Sequence, residues 1–306
     1  MLVALVDEDG RRGYGEAAPI EAFGTESVDQ AESFFRNQKG CFDPADLETV
    51  PAVLPCCRFA VECALADLRE RPGEEVFRHE HLPVAGLLPA GGEAVRRARE
   101  LWEAGYRTFK WKIAVHPFAA EREWFRRLRD AVPAGAAWRL DANGGLDRKT
   151  ALKWGMEIED SGVEFLEQPL PVRSGSDLEK LASEFPVPIA LDESVGTIES
   201  LREWIGRRWK GVFVIKPALA GSPSVLLELL RETDAKCVFS SALETVVGMK
   251  GALRVAFSTE QEPRAVGWGA AGVFADDGIS PEPRPEIPAS RIRELDGERA
   301  WTEARS

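Results

Sequence analysis

The segment Phe165-Leu166-Glu167-Gln168-Pro169-Leu170 is a short apolar run that ends at a carboxylate and then turns at a proline. Asp141 ends a comparable run 26 residues earlier, and Asp192 ends another 25 residues later. A helical stretch separates each run from the next. Steps of this size are typical of one strand followed by one helix. The pattern predicts an α/β fold in which acidic residues close successive parallel strands.

The same spacing continues in both directions along the chain. Lys112 lies 29 residues before Asp141. Lys216 lies 24 residues after Asp192, and Ser240 follows after another 24. Charged residues that merely cap strands at a surface would explain one or two of these positions, but not five in register. Chemistry at the carboxyl ends of the strands is the arrangement of a (β/α) barrel.

Eight strands separated by helices are predicted, which is the number that closes such a barrel. They are Val84–Leu88, Thr108–Ile113, Ala137–Asp141, Phe165–Glu167, Ile189–Asp192, Gly211–Lys216, Cys237–Ser240 and Ala265–Trp268.

The chain divides into three segments. We assign residues 1–82 to an α+β capping domain, residues 83–276 to the barrel, and residues 277–306 to a C-terminal segment that packs on the capping domain. The capping domain is expected to contain paired strands at Leu2–Val6 and Arg12–Glu16, a flexible loop over Gly13–Thr25, a helix beginning near Ser27 and a helix over Pro55–Arg69.

Composition excludes several classes of protein. A net charge of −12 without a basic cluster argues against binding to nucleic acid. No apolar run is long enough to insert into a membrane. Five cysteines are an odd number without paired spacing, which favours reduced thiols and a cytoplasmic location. The three histidines have no metal-binding spacing.

Asp141, Glu167 and Asp192 are expected to converge at the mouth of the barrel. Three carboxylates repel one another unless a cation joins them. Oxygen ligands suit a hard divalent ion, Mg²⁺ first and Mn²⁺ second. Such an ion keeps open positions, so the sequence predicts a small-molecule carboxylate as the substrate.

Lys110 and Lys112 are two residues apart on one strand and are expected to point into the barrel together. Their mutual repulsion and a nearby cation should lower a lysine pKa toward the range of a useful base. Lys216 should face this pair across the mouth. Taken alone, Lys110-Trp111-Lys112 is equally typical of an exposed strand edge.

Arg139 lies two residues before Asp141, so its side chain should also point inward. It is expected to pair with a carboxylate or to contact the substrate. Asn143 follows the presumed ligand and is a candidate to support it. Purely structural roles for Arg139 and Asn143 are equally compatible with the sequence.

These segments together resemble the enolase superfamily, and within it the muconate-lactonizing-enzyme subgroup. The matching motifs are Gly13–Pro19, Lys110–Lys112, Leu140–Gly145, Phe165–Leu170, Ala190–Ser194 and Val214–Pro217. The resemblance implies an enolase-type barrel (a modified TIM barrel) covered by a capping domain. It also implies that the capping domain lacks its first strand, because Met1 falls inside the first sheet.

Two later segments, Phe239–Thr245 and Ala265–Asp277, look like those of the o-succinylbenzoate synthases in that subgroup. The Asp-x-Asp of dipeptide epimerases is missing, since Asp276 and Asp277 are adjacent. The resemblance implies dehydration of 2-succinyl-6-hydroxy-2,4-cyclohexadiene-1-carboxylate to o-succinylbenzoate, on the route to menaquinone or phylloquinone.

The resemblance also implies roles for individual residues. Lys112 is the base, Lys216 stabilises the anion, and Lys110 keeps the pKa of Lys112 low. Asp141, Glu167 and Asp192 bind Mg²⁺. The remaining candidates, which contact the substrate or support the site, are Arg139, Asn143, Glu193, Ser240, Ser241, Glu244 and Gly267.

Three other functions stay open at this point. An N-succinylamino acid racemase of the same subgroup would use Lys112 and Lys216 as two bases. A non-catalytic barrel would serve as a binding protein. A nucleotide-binding Rossmann protein is disfavoured because no G-x-G-x-x-G follows a strand.

Overall fold

An antiparallel pair of strands begins the chain and packs against a long helix. The computed structural model describes residues 1–38, 47, 49–70, 77–268 and 283–304. The elements before the barrel are β1 (Leu2–Val6), β2 (Arg12–Glu16), α1 (Val28–Asn37), α2 (Pro55–Arg69) and β3 (His81–Pro83). β1 pairs with β2, as the sequence predicts. Ser27 and Gln30 form a capping box at the start of α1.

Glycines allow β2 to lie directly on α2. A Cβ atom at Gly13 would be 2.2 Å from the Ala64 carbonyl oxygen, and one at Gly15 would be 1.9 Å from that of Ala60. The prediction of a flexible loop is therefore wrong for Gly13–Glu16. The glycines there serve close packing of the backbone rather than mobility.

Seven parallel strands form one sheet in the order β10-β9-β8-β7-β6-β5-β4. The strands are β4 (Ala85–Leu88), β5 (Thr108–Lys112), β6 (Ala137–Asp141), β7 (Val163–Glu167), β8 (Ile189–Leu191), β9 (Val212–Ile215) and β10 (Lys236–Phe239). Asp192, Lys216 and Ser240 were predicted inside strands but lie one residue beyond β8, β9 and β10. Boundaries of this kind shift by a residue or two because hydrogen bonding ends before the extended backbone does.

Two isolated bridges close the sheet into a barrel. Val266 bridges to Val84 beside β4, and Gly267 bridges to Ser240 beyond β10. The predicted strand Ala265–Trp268 thus occupies the eighth position, but it is not a regular strand. Gly267 is pressed against Ser240, where an added Cβ would be 2.4 Å from the Ser240 Oγ, and such close approaches often interrupt a ladder.

Helices alternate with the strands and cover the outside of the barrel. They are α3 (Ala94–Glu103), α4 (Phe118–Ala131), α5 (Arg148–Ile158), α6 (Gly175–Glu184), α7 (Ile198–Gly206), α8 (Pro217–Ala220), α9 (Pro223–Arg231) and α10 (Val246–Ser258). The predicted (β/α) barrel is confirmed. Within the described residues, no helix combines the length and apolarity that crossing a membrane would require.

The period of the strands separates an apolar outer layer from a partly polar interior. Phe109 and Trp111 of β5 point outward into the packing between strands and helices, and Trp111 stacks on Phe125 of α4 at 6.2 Å. The alternate residues face inward. The inner core below the mouth is a small separate cluster of Phe165, Ala190, Val212, Val214 and Val238.

The C-terminal residues return to both parts of the fold. β11 (Glu286–Pro288) pairs antiparallel with β3, and α11 (Gly297–Glu303) lies against β2. The rings of Trp301 and Tyr14 are 6.0 Å apart. The predicted boundary at residue 276 and the Asp276-Asp277 pair lie outside the described residues, so the assignment of domains stays a prediction.

Candidate active site

A cavity of about 290 Å³ opens at the carboxyl ends of the barrel strands. The capping segment contributes Ile20 and Phe23 to its walls. The barrel contributes Ala85, Leu87, Lys110, Arg139, Asp141, Asn143, Phe165, Glu167, Asp192, Glu193, Val214, Lys216, Val238, Ser240, Ser241, Ala242, Leu243 and Gly267. Acidic and basic side chains thus meet inside an otherwise apolar enclosure.

The three predicted carboxylates are brought together and buried. Asp141 and Glu167 are register partners on adjacent strands, and Asp192 follows the next strand. Lys110 Nζ lies 2.8 Å from Asp141 Oδ2 and 2.7 Å from Glu167 Oε1. Lys216 pairs with Asp192. Two ammonium groups therefore neutralise part of the acidic charge.

As they stand, these carboxylates do not form a closed metal-ligand cluster within the described residues. Ammonium groups lie where a cation would be drawn. Burial and the charges of Asp141 and Asp192 nevertheless raise the pKa of the Glu167 carboxyl, although Lys110 and Lys216 oppose the change. The site therefore remains short of positive charge. Three oxygen donors in that condition fit a hard divalent ion.

The pKa of the Lys110 ammonium group is shifted upward, whereas the sequence suggested a lowered pKa for a lysine of this pair. Burial alone would lower the pKa of its ammonium group, but the charges of Glu167, Asp141 and Asp192 raise it above its ordinary value. Among the protein groups alone, nearby carboxylates therefore outweigh both desolvation and repulsion from another lysine. The depression expected for this pair also depends on a neighbouring cation and stays a prediction.

Lys112 and Lys216 lie on opposite sides of the mouth. β5 and β9 are four positions apart in the strand order, which is half of an eight-position barrel. Lys112 is exposed at the rim and forms no ion pair with the described residues, whereas Lys216 lines the cavity. The Lys216 Nζ is 4.4 Å from the centre of the Phe23 ring. The structure thus provides an exposed amine on one side of the mouth and a paired amine on the other.

Asn143 connects two acidic residues of the rim. Its backbone N–H donates to Asp141 Oδ1 (3.0 Å), and its side-chain Nδ2 donates to Glu193 Oε1 (2.9 Å). Asn143 has a φ of 41°, a left-handed conformation that asparagine tolerates better than most residues. Burial raises the pKa of Glu193, and the charge of Asp192 adds to this effect. Asn143 and Glu193 therefore surround the carboxylates rather than lie apart from them.

Arg139 takes one of the roles left open by the sequence, that of pairing with a carboxylate. Its Nε donates to Glu164 Oε2 at 2.6 Å, and its Nη1 donates to the Ala265 carbonyl oxygen. The guanidinium carbon lies 5.0 Å from the centre of the Phe165 ring. Nη2 is buried and has no partner among the described groups, yet the side chain lines the cavity. Arg139 thus supports the barrel, and a contact with a ligand stays a prediction.

The loop after β10 contains the remaining candidates. Ser240, Ser241 and Gly267 line the cavity. Glu244 is 2% exposed and lies behind the loop, where it accepts hydrogen bonds from Ser241 Oγ (3.1 Å), the Ala242 N–H and Trp268 Nε1 (3.2 Å). Glu244 therefore shapes the loop and is absent from the described cavity wall, which is the supporting position among the two expected for it.

Sequence reasoning missed three residues of the site. Phe23 reaches the cavity from the capping segment, and Leu243 is held over it with a φ of 66°. Gln168 lies beside Glu167 and bonds to the turn after β8. Only Gln168 had a signal, its place between a carboxylate and a proline. Phe23 depends on contacts between segments distant in sequence, whereas Leu243 belongs to the loop that carries Ser240 and Ser241.

Comparison with known proteins agrees with this geometry. Residues 93–286 match the family described as enolase C-terminal domain-like. The chain therefore belongs to the enolase superfamily, and the resemblance read from its motifs is confirmed.

Individual relatives show which members of the superfamily this chain is similar to. An o-succinylbenzoate synthase from Thermosynechococcus vestitus is 36% identical over 274 residues, covering 88% of this chain and 84% of that protein. The crystal structure of o-succinylbenzoate synthase from Thermosynechococcus elongatus BP-1, complexed with Mg in the active site, has a TM-score of 0.83 and 34% identity, covering 99% of this chain and 91% of that one. Muconate lactonizing enzyme from Pseudomonas putida, at 21% identity and a TM-score of 0.82 over 94% of this chain and 88% of that one, shares the fold.

Proposed function

We propose that this chain is an o-succinylbenzoate synthase, a carbon–oxygen lyase that dehydrates 2-succinyl-6-hydroxy-2,4-cyclohexadiene-1-carboxylate. The observation that carries the proposal is a buried set of Asp141, Glu167 and Asp192 that is paired with Lys110 and Lys216 in one cavity. Lys112 lies at the rim of that cavity, on the same strand as Lys110. The similarity to o-succinylbenzoate synthases over most of the chain supports the same activity. A place in menaquinone or phylloquinone synthesis and a cytoplasmic location belong to this proposal.

Asp141, Glu167 and Asp192 would hold Mg²⁺, with Mn²⁺ as a substitute. The chemistry that such an ion supplies when bound is stabilisation of negative charge on the substrate carboxylate. Asn143 fixes one oxygen of Asp141 through its backbone N–H and keeps Glu193 in place. The substrate carboxylate would therefore bind beside the positive charge of a cation that the three acidic side chains hold.

Lys112 removes the proton from the carbon beside the carboxylate. Its amine becomes an ammonium, and the electron pair of the broken C–H bond remains on the substrate. Lys216 stabilises this anion from the opposite side by its charge. The Lys112 ammonium then returns the proton to the departing hydroxyl group, so that the C–O bond breaks, water leaves and the ring becomes aromatic. Lys110 keeps its charge beside Asp141 and Glu167 throughout.

The remaining cavity residues are suited to orienting the rest of the substrate. Arg139 offers its free Nη2 at the wall of the cavity. Ser240 and Ser241 offer hydroxyl groups, and Gly267 leaves the space that Ser240 occupies. These groups are proposed to contact the succinyl chain, with Arg139 taking its carboxylate by a charge-assisted hydrogen bond.

The test is conversion of the cyclohexadiene carboxylate to o-succinylbenzoate, followed by ultraviolet absorbance with Mg²⁺ and with a chelator. Lys112→Ala should lower kcat by at least about a thousandfold, in keeping with loss of a general base. Lys210→Ala is the matched control, because Lys210 is exposed at the amino end of β9, away from the mouth. Full turnover by Lys112→Ala would refute the assignment of the base.

One observation also favours N-succinylamino acid racemase activity at the same site. Lys112 ends β5 and Lys216 follows β9, so the two lysines come from opposite sides of the barrel, as a reaction with two bases requires. Exchange of the α-proton of an N-succinylamino acid in D₂O would reveal this second activity. A chain that showed neither turnover, nor exchange, nor stabilisation by a divalent cation would instead be a non-catalytic binding protein.

A further inference from the structure

Gln168 occupies an unusual position directly after a presumed cation ligand. It is fully buried, with 0% of its surface exposed. Its φ is 34°, in the left-handed region that non-glycine residues rarely adopt. A buried amide in a strained backbone persists only when its surroundings hold it there. The question is what this arrangement maintains.

The side chain of Gln168 uses its full hydrogen-bonding capacity. Nε2 donates to the Leu170 carbonyl oxygen and to Ser194 Oγ, each at 2.9 Å. Oε1 accepts the backbone N–H of Asp192 (3.1 Å) and that of Ser194 (3.2 Å). A primary amide has two donor hydrogens and an acceptor with two lone pairs, so no bonding group remains for water or substrate.

The backbone of Gln168 connects the same region further. Its N–H donates to the Ala190 carbonyl oxygen (2.8 Å), and its carbonyl oxygen accepts the Gly144 N–H (2.6 Å). Gln168 therefore joins the turns after β6, β7 and β8. These three turns carry or adjoin Asp141, Glu167 and Asp192.

We propose that Gln168 is a positioning residue that fixes Asp192 relative to Asp141 and Glu167 so that all three carboxylates reach one divalent cation. It acts through the Asp192 N–H and the turn at Ser194, not through contact with the cation. The inference rests on the proposed cation site. Supporting residues of this kind typically contribute tenfold to a hundredfold to metal affinity.

Gln261 offers a matched control within the chain. Its Nε2 donates to the Ala235 carbonyl oxygen (2.6 Å), and its Oε1 accepts the Cys237 N–H (3.3 Å). It is therefore another side-chain amide that joins a strand to its neighbouring loop. It contacts β10 near its amino end, however, on the opposite side of the barrel from the cavity. If the role of Gln168 were purely structural, substitutions of Gln168 and Gln261 should both lower thermal stability and leave Mn²⁺ affinity unchanged.

The experiment measures Mn²⁺ binding to the full chain by electron paramagnetic resonance of free Mn²⁺, far below the unfolding temperature. Gln168→Met should raise the Mn²⁺ dissociation constant by roughly tenfold to a hundredfold, which corresponds to weaker binding. Gln261→Met should lower thermal stability and leave the dissociation constant unchanged. Equal Mn²⁺ affinity in folded Gln168→Met and wild type would overturn the inference.

A second variant keeps the test decisive if Gln168→Met does not fold. Gln168→Asn retains the amide and suits a positive φ, but its shorter side chain is withdrawn from Asp192 and Ser194. It too should bind Mn²⁺ more weakly, and wild-type affinity would overturn the inference. Failure of the wild-type chain to bind Mn²⁺ at all would instead refute the cation site of the proposed function.

Discussion

Glu167 lies among buried charges of both signs. Burial raises the pKa of its carboxyl group, and the charge of Asp141 adds to this effect while that of Lys110 opposes it. A carboxyl group must lose its proton before it can ligate a cation. We therefore expect Mg²⁺ or Mn²⁺ binding to release protons near neutral pH and to strengthen as the pH rises.

The same shift has a consequence for the metal-free protein. A carboxyl group whose pKa is raised on folding binds more protons in the folded state than in the unfolded state. The free energy of unfolding should therefore fall as the pH rises from about 4.5, the ordinary pKa, toward the raised folded value.

The proton release that we expect on Mn²⁺ binding is measured by titration calorimetry in two buffers of different ionisation enthalpy. A binding enthalpy that is independent of the buffer would contradict the prediction.

How far each residue could be predicted depends on what holds it. Asp141 and Glu167 were predictable because strand period and spacing along the chain bring register partners together. Glu244 was a candidate either to contact the substrate or to support the site, and its bonds to Ala242 and Trp268 hold it behind the loop. No local pattern specifies such bonds, since Trp268 comes from another position of the barrel.

At the scale of elements, the capping loop depends on a glycine of the barrel. Phe23 is the last residue of a short 3₁₀ turn, and its ring lies over the Lys216 ammonium group. Gly196, in the turn before α7, is so close that an added Cβ would be 2.2 Å from the Phe23 carbonyl oxygen. The loop reaches the mouth only because residue 196 has no side chain.

We expect Gly196→Ala to displace the Phe23 loop and lower kcat/KM by roughly tenfold or more, since small misplacements at a closed site are costly. Mn²⁺ affinity should remain close to wild type, because Asp192 and its partners are not displaced. Gly206→Ala is the control: an added Cβ there meets nothing within 4 Å, and alanine favours the helix. Steady-state kinetics with the cyclohexadiene carboxylate distinguishes the two variants, and unchanged kcat/KM in Gly196→Ala would disprove the role of this contact.

Element order and a closed barrel were predictable from the sequence, whereas the irregular form of the eighth position was not. Alternating apolar runs and helices specify β4 to β10 in sequence order, because each strand–helix unit places the next strand beside the last. The eighth position depends instead on Gly267 fitting against Ser240. That contact joins residues at the two edges of the sheet, and no periodicity encodes it.

For the whole molecule, polar contacts attach the capping segment to the barrel. Glu16 of β2 accepts the backbone N–H groups of Thr245 and Gly248 at the start of α10 (3.0 and 2.9 Å). In α2, Asp67 accepts the Tyr14 N–H (2.9 Å) and pairs with Lys250 of α10 (2.6 Å). Phe23 of the same capping segment lines the cavity, so these contacts join a part of the cavity wall to the barrel.

Glu16→Ala should therefore weaken the attachment of the capping segment to the barrel, and not only the stability of α10. It leaves the N–H groups of Thr245 and Gly248 without their acceptor inside the protein, at a cost of about 1–3 kcal/mol. Hydrogen exchange of α2 amides, measured by mass spectrometry, should then report opening at a lower free energy than that of β6 and β7. In the wild type, α2 and these strands should open together.

Asp147→Ala separates this effect from the ordinary loss of a helix cap. Asp147 accepts the Thr150 N–H at the exposed start of α5, and its removal should cost about 1 kcal/mol. It should leave the exchange of α2 unchanged relative to the barrel. If Glu16→Ala destabilised α2 and the barrel strands equally, the two parts would unfold as one unit even without Glu16. The remaining contacts of Asp67 and Lys250 would then suffice to hold Phe23 over the cavity.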